Sequence, residues 1–157
     1  MSREHRYSVD LTWTGNTGSG TSDYRSYQRG HILHVQGKPE IYASSDPSFR
    51  GDPTKYNPEE LLVGSLSGCH MLWYLHLCAE AGIIVVDYTD KAVGVMEETA
   101  NGGGKFKEVV LNPVVLITDI SRARDALELH ARANELCFIA NSVNFPVHHR
   151  PEIKRAG

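Results

Sequence analysis

The chain has few cysteines and no segment that would direct it across or into a membrane. Its 157 residues contain three cysteines, Cys69, Cys78 and Cys137. An odd and widely spaced set argues against the disulfide framework that small secreted domains use. The polar N-terminus lacks the hydrophobic region of a signal peptide, and Ser, Gly, His and Tyr interrupt the longest apolar stretch. We therefore expect a cytoplasmic protein whose thiols stay reduced and which has no membrane partner.

The chain also lacks an excess of positive charge. The chain has 16 Lys and Arg against 19 Asp and Glu, which gives a formal net charge of −3 at pH 7. Without a basic excess, nucleic acid is not an expected partner. The glycine-rich stretch 15–20 lacks the Lys and the following helix of a phosphate-binding loop. No internal repeat is visible, and the length predicts a single domain over residues 1–157.

The most informative stretch that is present, Asn57 to Gly82, has the pattern of a long buried helix. Asn57 suits the N-cap, Pro58 the first helical position, and Gly82 the left-handed position that ends a helix. Apolar residues on every face indicate burial on all sides. Cys69 lies near the middle. The residues before it are small and allow another group to approach closely: Gly64, Ser65, Ser67 and Gly68.

Strand patterns precede and follow this helix. The predicted strands are residues 7–13, 24–35 and 40–43 before it, and 83–96, 106–118 and 145–148 after it. A loop over residues 44–56 is long for a connector, and such loops are often functional. A second helix is predicted from Ser121 to Cys137. The separation of strands from helices predicts an α+β fold.

Two of the thiols occupy similar settings, Cys69 within the first helix and Cys137 at the end of the second. A two-cysteine redox cycle uses two such thiols, one to attack a peroxide and one to resolve the sulfenic acid as a disulfide. The alternative is that both are small hydrophobic core residues. Cys78 has only His76 and Glu80 at helical spacing and fits that alternative best.

An attacking cysteine must be a thiolate, and burial alone raises the pKa of a thiol, so a cation has to lie near it. No Lys or Arg occurs between Lys55 and Lys91. We expect the cation to be Arg50, in the loop before the helix, with Arg25 and Arg29 as second choices.

The nearest carboxylates lie at the start of the helix. Glu59 and Glu60 can orient a buried arginine, or they can simply suit the helix dipole. Glu59 and Cys69 are ten residues apart, about 15 Å along a straight helix. A bend at Gly64 or Gly68, or a second subunit, has to bring them together. We favour the second subunit, because a dimer also covers the apolar helix.

The sequence does not favour a metal site or a cofactor. It contains no CxxC or HxxxH motif. Cys69 and His76 share a helix face but lie too far apart to bind one ion. We interpret His70 as a buried packing histidine, because adjacent helical residues point apart, and His148 and His149 as exposed polar residues at a strand end.

The segment Asn57-Pro58-Glu59-Glu60-Leu61-Leu62, followed by Cys69, resembles the OsmC/Ohr family (osmotically inducible protein C and organic hydroperoxide resistance protein). The helix that ends in Cys137, followed by Asn144-Phe145-Pro146-Val147, is similar to the second cysteine region of that family. The better-known members carry Phe and Pro after the two cysteines, where this chain has His70 and Phe138. These differences favour an OsmC-like branch over Ohr proper.

The resemblance implies an intertwined α+β homodimer in which antiparallel sheets wrap around a long buried central helix. It implies reduction of organic hydroperoxides in oxidative-stress defence, without metal or flavin, with a thiol reductant such as a dihydrolipoyl protein. Cys69 matches the peroxidatic cysteine, Cys137 the resolving cysteine and Glu59 the family glutamate, and Arg50 fits the family arginine best. The alternatives are a non-enzymatic OsmC-like dimer that binds a small molecule and a metal-binding protein.

Overall fold

The computed structural model describes residues 2–157 and confirms the α+β class. The chain divides into two compact units, one ending at Leu61 and one beginning at Leu62. In the first unit, three antiparallel strands form a sheet in the order β1-β2-β3. Their bounds are β1 Asp10–Trp13, β2 His31–His34 and β3 Ile41–Ala43.

The strand predicted to begin at residue 24 is wrong in its first part. Residues 24–29 form turns, and β2 begins only at His31. The Arg29 guanidinium donates hydrogen bonds to the carbonyl oxygens of Tyr27 at 2.5 Å and Tyr24 at 2.7 Å. These bonds fold the segment back on itself and prevent an extended conformation. The predicted loop over 44–56 is a loop that contains one short 3₁₀ helix, Pro47–Phe49.

The long helix α1 spans Pro58–Glu80, within one residue or two of its predicted ends. It begins with a capping box: the Glu60 N–H donates to Asn57 Oδ1 at 2.9 Å, and the Asn57 N–H donates to Glu60 Oε1 at 3.0 Å. Gly82 follows the last turn of the helix and terminates it. Its φ of 71° is the left-handed conformation that glycine adopts without strain. α1 is one uninterrupted helix through Gly64 and Gly68.

In this chain by itself, α1 buries one stripe. The stripe repeats every fourth residue and consists of Leu66, His70, Tyr74 and Cys78. Leu72, on another face, is 65% exposed. By length and composition α1 is also apolar enough to cross a membrane, a test that the core helix of a soluble protein passes as well. Burial of its remaining faces stays a prediction.

The second unit carries six strands and helix α2. The elements are β4 Val85–Asp90, β5 Val93–Glu98, β6 Gly104–Leu111, β7 Pro113–Ile117, α2 Ala123–Leu136, β8 Val147–His149 and β9 Glu152–Arg155. They form two sheets, in the orders β5-β6-β8 and β4-β7-β9. The strands from the hairpin pair antiparallel, whereas β8 and β9 pair parallel to β6 and β7, so both sheets are mixed. No strand was predicted for the residues that form β9.

The two long strands predicted after α1 are each divided in two, which corrects the prediction. The breaks lie at residues 91–92 and at Asn112, where Pro113 follows with no N–H to donate. Asp90 holds the break together: its carboxylate accepts from the Asn112 N–H at 2.7 Å and from the Ser67 hydroxyl at 2.5 Å. The side chain of Asn112 donates to the Lys91 carbonyl at 2.9 Å. The break therefore replaces ladder bonds with side-chain bonds.

Candidate functional site

Helices α1 and α2 meet along a row of three contacts, which we call the α1–α2 seam. Cys69 lies near Cys137, the His70 ring contacts the His130 ring, and the Tyr74 hydroxyl donates to the Ala126 carbonyl at 2.8 Å. The residue numbers on α1 increase along the row while the partner numbers on α2 decrease, so the two helices run antiparallel. The spacing on α1 places all three contacts on or beside the buried stripe.

The first contact brings together the two cysteines that the sequence analysis selected. Both are free thiols, Cys69 partly exposed and Cys137 buried, and the two lie close enough for Cys69 to affect the pKa of Cys137. Burial raises the pKa of Cys137 to about 11, and the neighbouring Cys69 adds to the rise. The Ala140 N–H, which donates to Cys137 Sγ at 3.4 Å, opposes it only in part. Cys137 is therefore a protonated thiol at neutral pH.

Two neighbouring free thiols can be joined as a disulfide once one of them has been oxidised, for example to a sulfenic acid. Cys78 does not join them. It is buried beside Tyr74, and burial raises its pKa, as expected of an inert core thiol.

The second contact is a buried pair of imidazoles. His70 Nε2 and His130 Nδ1 lie 3.0 Å apart, with ring planes inclined by 9°. The Tyr74 ring stacks on His130 with centroids 3.8 Å apart. Burial lowers the pKa of His70 to about 4 and that of His130 to about 3. Both rings are therefore neutral at physiological pH, and one donates its N–H to the other.

His149 also belongs to this cluster, which corrects the prediction that it is an exposed strand-end residue. Its ring stacks on His70 at 5.8 Å and on His130 at 6.2 Å. His148, the other member of the pair, is exposed as predicted. Strand β8 explains the difference, because successive strand residues point to opposite faces. Residues 2–157 contain no group of three His, Cys, Asp or Glu side chains placed to hold a metal ion.

His130 was not predicted as a partner for His70, although its position on α2 indicates a buried polar contact. His130 lies in the apolar face of α2, together with Ala126 and Ala133, which are also buried. A histidine inside an apolar stripe requires a polar partner, because a buried polar group without one is costly. The prediction that His70 is a buried packing histidine is confirmed, since it is 1% exposed.

The three candidate arginines lie together in the N-terminal unit. Arg25, Arg29 and Arg50 line one pocket of about 580 Å³. Arg50 follows the 3₁₀ helix and has a φ of 64°, the only positive φ at a non-glycine position within residues 2–157. Backbone strain of this kind is a feature of functional positions. The structure therefore offers all three arginines at a single location.

The predicted partnership of Glu59 with Arg50 is not formed within the chain. Among residues 2–157 no ion pair joins Glu59 to Arg50. Glu59 Oε2 is buried and has no hydrogen-bond partner in that part of the chain. A buried carboxylate oxygen without a donor is costly, so Glu59 has capacity for a further contact. Its neighbour Glu60 is occupied by the capping box.

Comparison with known proteins places this chain in a family. The family model of OsmC-like proteins matches residues 51–152. The structure of an OsmC-like protein of unknown function from Vibrio cholerae is 32% identical, with a TM-score of 0.84 over 94% of this chain and 99% of that chain. Among the curated proteins none matches.

Two more distant structures share the fold. An organic hydroperoxide resistance protein from Elizabethkingia anophelis is 20% identical, with a TM-score of 0.65 over 98% of this chain and 100% of that chain. One from Legionella pneumophila is 16% identical, with a TM-score of 0.67 over 96% and 99%. The family model and the 32% identical structure together show that this chain belongs to the OsmC family.

Proposed function

We propose that the protein is a cysteine-based peroxidase that reduces organic hydroperoxides through a two-cysteine cycle. The proximity of the Cys69 and Cys137 thiols carries this proposal, because two residues far apart in sequence lie near each other as free thiols. The names of the two hydroperoxide resistance proteins with the same fold agree with it. We further propose that it acts in the cytoplasm, as one domain per chain, in defence against oxidative stress.

The cycle needs no metal or flavin. The Cys69 thiolate attacks the terminal oxygen of the hydroperoxide, the O–O bond breaks, and the alcohol leaves after taking up a proton. Cys69 is then a sulfenic acid. The Cys137 sulfur attacks it, the S–OH bond breaks, and a disulfide forms as water leaves with the Cys137 proton. A dithiol such as a dihydrolipoyl protein supplies two electrons and two protons to restore both thiols.

The raised pKa of Cys137 suits the resolving role. A thiol with a pKa of about 11 does not compete as nucleophile for the hydroperoxide at neutral pH. In the second step Cys137 gives up its proton, which combines with the hydroxide released from the sulfenic acid to form water. Cys69, which is partly exposed, is the thiol that a hydroperoxide can reach.

The thiolate of Cys69 needs a cation, and we assign this role to Arg50, with Glu59 orienting it. A fixed guanidinium stabilises both the thiolate and the negative charge that develops on the leaving oxygen. Glu59 Oε2 is buried without a partner and no ion pair joins it to Arg50 in the described chain. A second subunit that completes the site accounts for both observations.

A homodimer also accounts for the apolar surface beside the seam. Leu72 is 65% exposed and Phe138 69% exposed, and together with Trp73 and His76 they line a shallow apolar pocket. The Trp73 and Phe138 rings lie 5.5 Å apart. Exposed aromatic and aliphatic groups of this kind are features of protein interfaces.

The test is turnover of cumene hydroperoxide with dithiothreitol or dihydrolipoamide as reductant. Cys69→Ser removes activity, whereas Cys137→Ser reacts once and accumulates a sulfenic acid that dimedone traps. Cys78→Ala is the matched control, because it removes the third thiol and leaves the pair intact. Wild-type rates in Cys69→Ser would end the peroxidase proposal. Absence of a Cys69–Cys137 disulfide in the peroxide-treated protein would end the resolving role alone.

A thiol-labelling experiment separates the peroxidase from a dimer that only binds a small molecule. The proposed mechanism requires a reactive thiolate at Cys69. A peroxidase should therefore be labelled at Cys69 by iodoacetamide near pH 6. A binding protein without this chemistry would label only as the pH approaches about 8.5, the ordinary thiol pKa.

A further inference from the structure

The pocket that contains the three arginines concentrates positive charge. We call it the cationic pocket; it has a volume of about 580 Å³, and its charged lining residues are Arg25, Arg29, Arg50, Lys55 and Asp52. Four of these side chains are positive and one is negative, whereas the whole chain has a net charge of −3. An excess of one sign in a concave site raises the local concentration of ligands with the opposite charge.

Arg29 is fixed in place without a carboxylate. Its guanidinium donates to the Tyr27 and Tyr24 carbonyl oxygens at 2.5 and 2.7 Å. The same group lies over both tyrosine rings, 3.9 Å from the centroid of Tyr27 and 4.4 Å from that of Tyr24. An arginine has five N–H groups, so three remain after these two bonds. A positioned guanidinium with spare donors is preorganised to bind an oxyanion.

The one carboxylate of the pocket is engaged elsewhere. Asp52 Oδ1 accepts from the Thr54 hydroxyl at 2.6 Å and from the Thr54 N–H at 2.9 Å. The hydrogen bonds from Thr54 hold the pKa of Asp52 below its usual value, so it stays ionised. Its other oxygen lies 3.9 Å from Lys55 Nζ, a long contact on the surface. No ion pair joins Asp52 to any of the three arginines in the described part of the chain, so the pocket keeps an excess of positive charge.

The loop that carries Arg50 is held close to the pocket at a conformational cost. Arg50 adopts a left-handed φ of 64°, and a Cβ on the next residue, Gly51, would lie 1.6 Å from the Ser45 carbonyl oxygen. The buried Ser44 hydroxyl accepts from the Asp52 N–H at 3.1 Å. A strained loop anchored on both sides of an arginine indicates that the position of that arginine matters.

One thiolate requires one cation, and the pocket supplies four together with space for several atoms. We propose that the cationic pocket binds a small organic ligand through an acidic head group, a carboxylate or a phosphate, held by Arg29 and Arg25. The binding does not depend on turnover. Only the further statement that this ligand is the hydroperoxide substrate itself rests on the proposed function.

Trp13 gives a direct readout of the pocket. Its Nε1–H donates to the Gln28 carbonyl at 2.9 Å, and its ring packs edge-on against Tyr27 at 5.9 Å; Gln28 and Tyr27 both line the pocket. The chain has two tryptophans, so Trp73→Phe leaves Trp13 as the one indole reporter. Cys69→Ser in the same background removes the proposed chemistry, so that binding is measured alone.

The experiment titrates this double variant with octanoate, octyl phosphate and octanamide. We expect saturable changes in Trp13 emission with one or both acids, and none with the neutral amide; the better acid identifies the head group. Arg29→Gln and Arg25→Gln should each weaken binding by about tenfold, the typical effect of losing one charge-assisted hydrogen bond. Arg124→Gln is the matched control, since this side chain is 89% exposed on α2 and removes the same charge.

Three results would overturn the proposal: no binding of either acid, equal binding of octanamide, or equal weakening by Arg124→Gln and the pocket variants. Because Arg29 also shapes its own turn, Arg25→Gln is decisive if Arg29→Gln changes the emission of the free protein. The two proposals fail separately. Octanoate binding without peroxide consumption refutes only the peroxidase, and peroxide consumption without acid binding refutes only the pocket.

Discussion

The thiol pair and the imidazole pair are neighbouring contacts of one helix–helix seam, yet they have opposite properties. Cys69 and His70 are adjacent in sequence, but Cys69 is partly exposed, whereas His70 and His130 are 1% and 0% exposed. Adjacent helical residues differ in direction by about 100°. A single step along α1 therefore separates a thiol that a ligand can reach from an imidazole that it cannot.

The two pairs share one electrostatic property. Burial raises the pKa of Cys137 and lowers those of His70 and His130, so the seam favours the neutral form of each. A thiolate at Cys69 cannot be stabilised by an imidazolium at His70, because that ring is neutral at physiological pH. The cation has to come from outside the seam, which strengthens the assignment of an arginine to this role.

The largest expected effect is on peroxide turnover, which should depend on the thiol pair and not on the imidazole pair. Cys69→Ser should lower peroxide turnover by about 10³-fold or more, because the nucleophile is lost. His70→Gln should change turnover per folded molecule by less than about threefold, because the imidazole neither contacts substrate nor carries charge. Steady-state rates normalised to the folded fraction measure both. Equal losses in the two variants would show that the imidazole pair takes part in the chemistry.

The next effect concerns stability. His130→Ala should lower the free energy of unfolding by about 3 kcal/mol, since it leaves a cavity beside Tyr74 and a buried His70 nitrogen without a partner. Urea denaturation followed by circular dichroism measures the change. His5→Ala is the control: this side chain is exposed and lies before β1, so its loss should cost under about 0.5 kcal/mol.

The imidazole pair also predicts a pH dependence of stability. The folded pKa values of about 4 and 3 lie below the unfolded value of 6.5, so the unfolded chain binds more protons between these limits. The contribution of the neutral histidine pair to the free energy of unfolding is therefore present above about pH 6.5. It is lost as the pH falls below this value. At pH 5.5 the loss from the two histidines together should be about 3 kcal/mol.

Other groups facing the pair are His149, Tyr74, Tyr88 and the more distant Asp90, whose charge favours protonation of His70. The comparison therefore uses variants. His130→Gln should lose about half of the decrease between pH 7.5 and pH 5.5, and His5→Gln should retain all of it. An unchanged decrease in His130→Gln would show that the pair is not its source.

Local patterns were sufficient to predict the two helices. The cap of Asn57 and the left-handed Gly82 fixed α1, because helix ends are determined by nearby residues. The family resemblance to a thiol pair at Cys69 and Cys137 is consistent with their proximity. These are features for which sequence neighbours, or one motif, hold the required information.

Contacts between distant residues were not predictable in the same way. Arg29 folds residues 24–29 by bonding two carbonyl groups, and nothing in the local alternation indicates this. The break between β6 and β7 depends on Asp90, which binds Asn112 across the hairpin. The pairing of His70 with His130 required the register of α1 against α2, which a single sequence does not supply.

The smallest expected effect tests the third contact of the seam. Tyr74→Phe removes one buried hydrogen bond, from the hydroxyl to the Ala126 carbonyl at 2.8 Å, while the ring keeps its stacking on His130. The expected loss is about 1 kcal/mol in the free energy of unfolding. Tyr42→Phe is the matched control, because its hydroxyl donates to Glu40 at 2.9 Å on an exposed strand and should contribute almost nothing. A difference between the two variants locates the stabilisation in the buried seam, whereas equal losses would mean that the hydroxyl of Tyr74 gains nothing from burial. Disulfide formation between Cys69 and Cys137 should be unchanged in both, because the hydroxyl lies beyond the imidazole pair from the thiols.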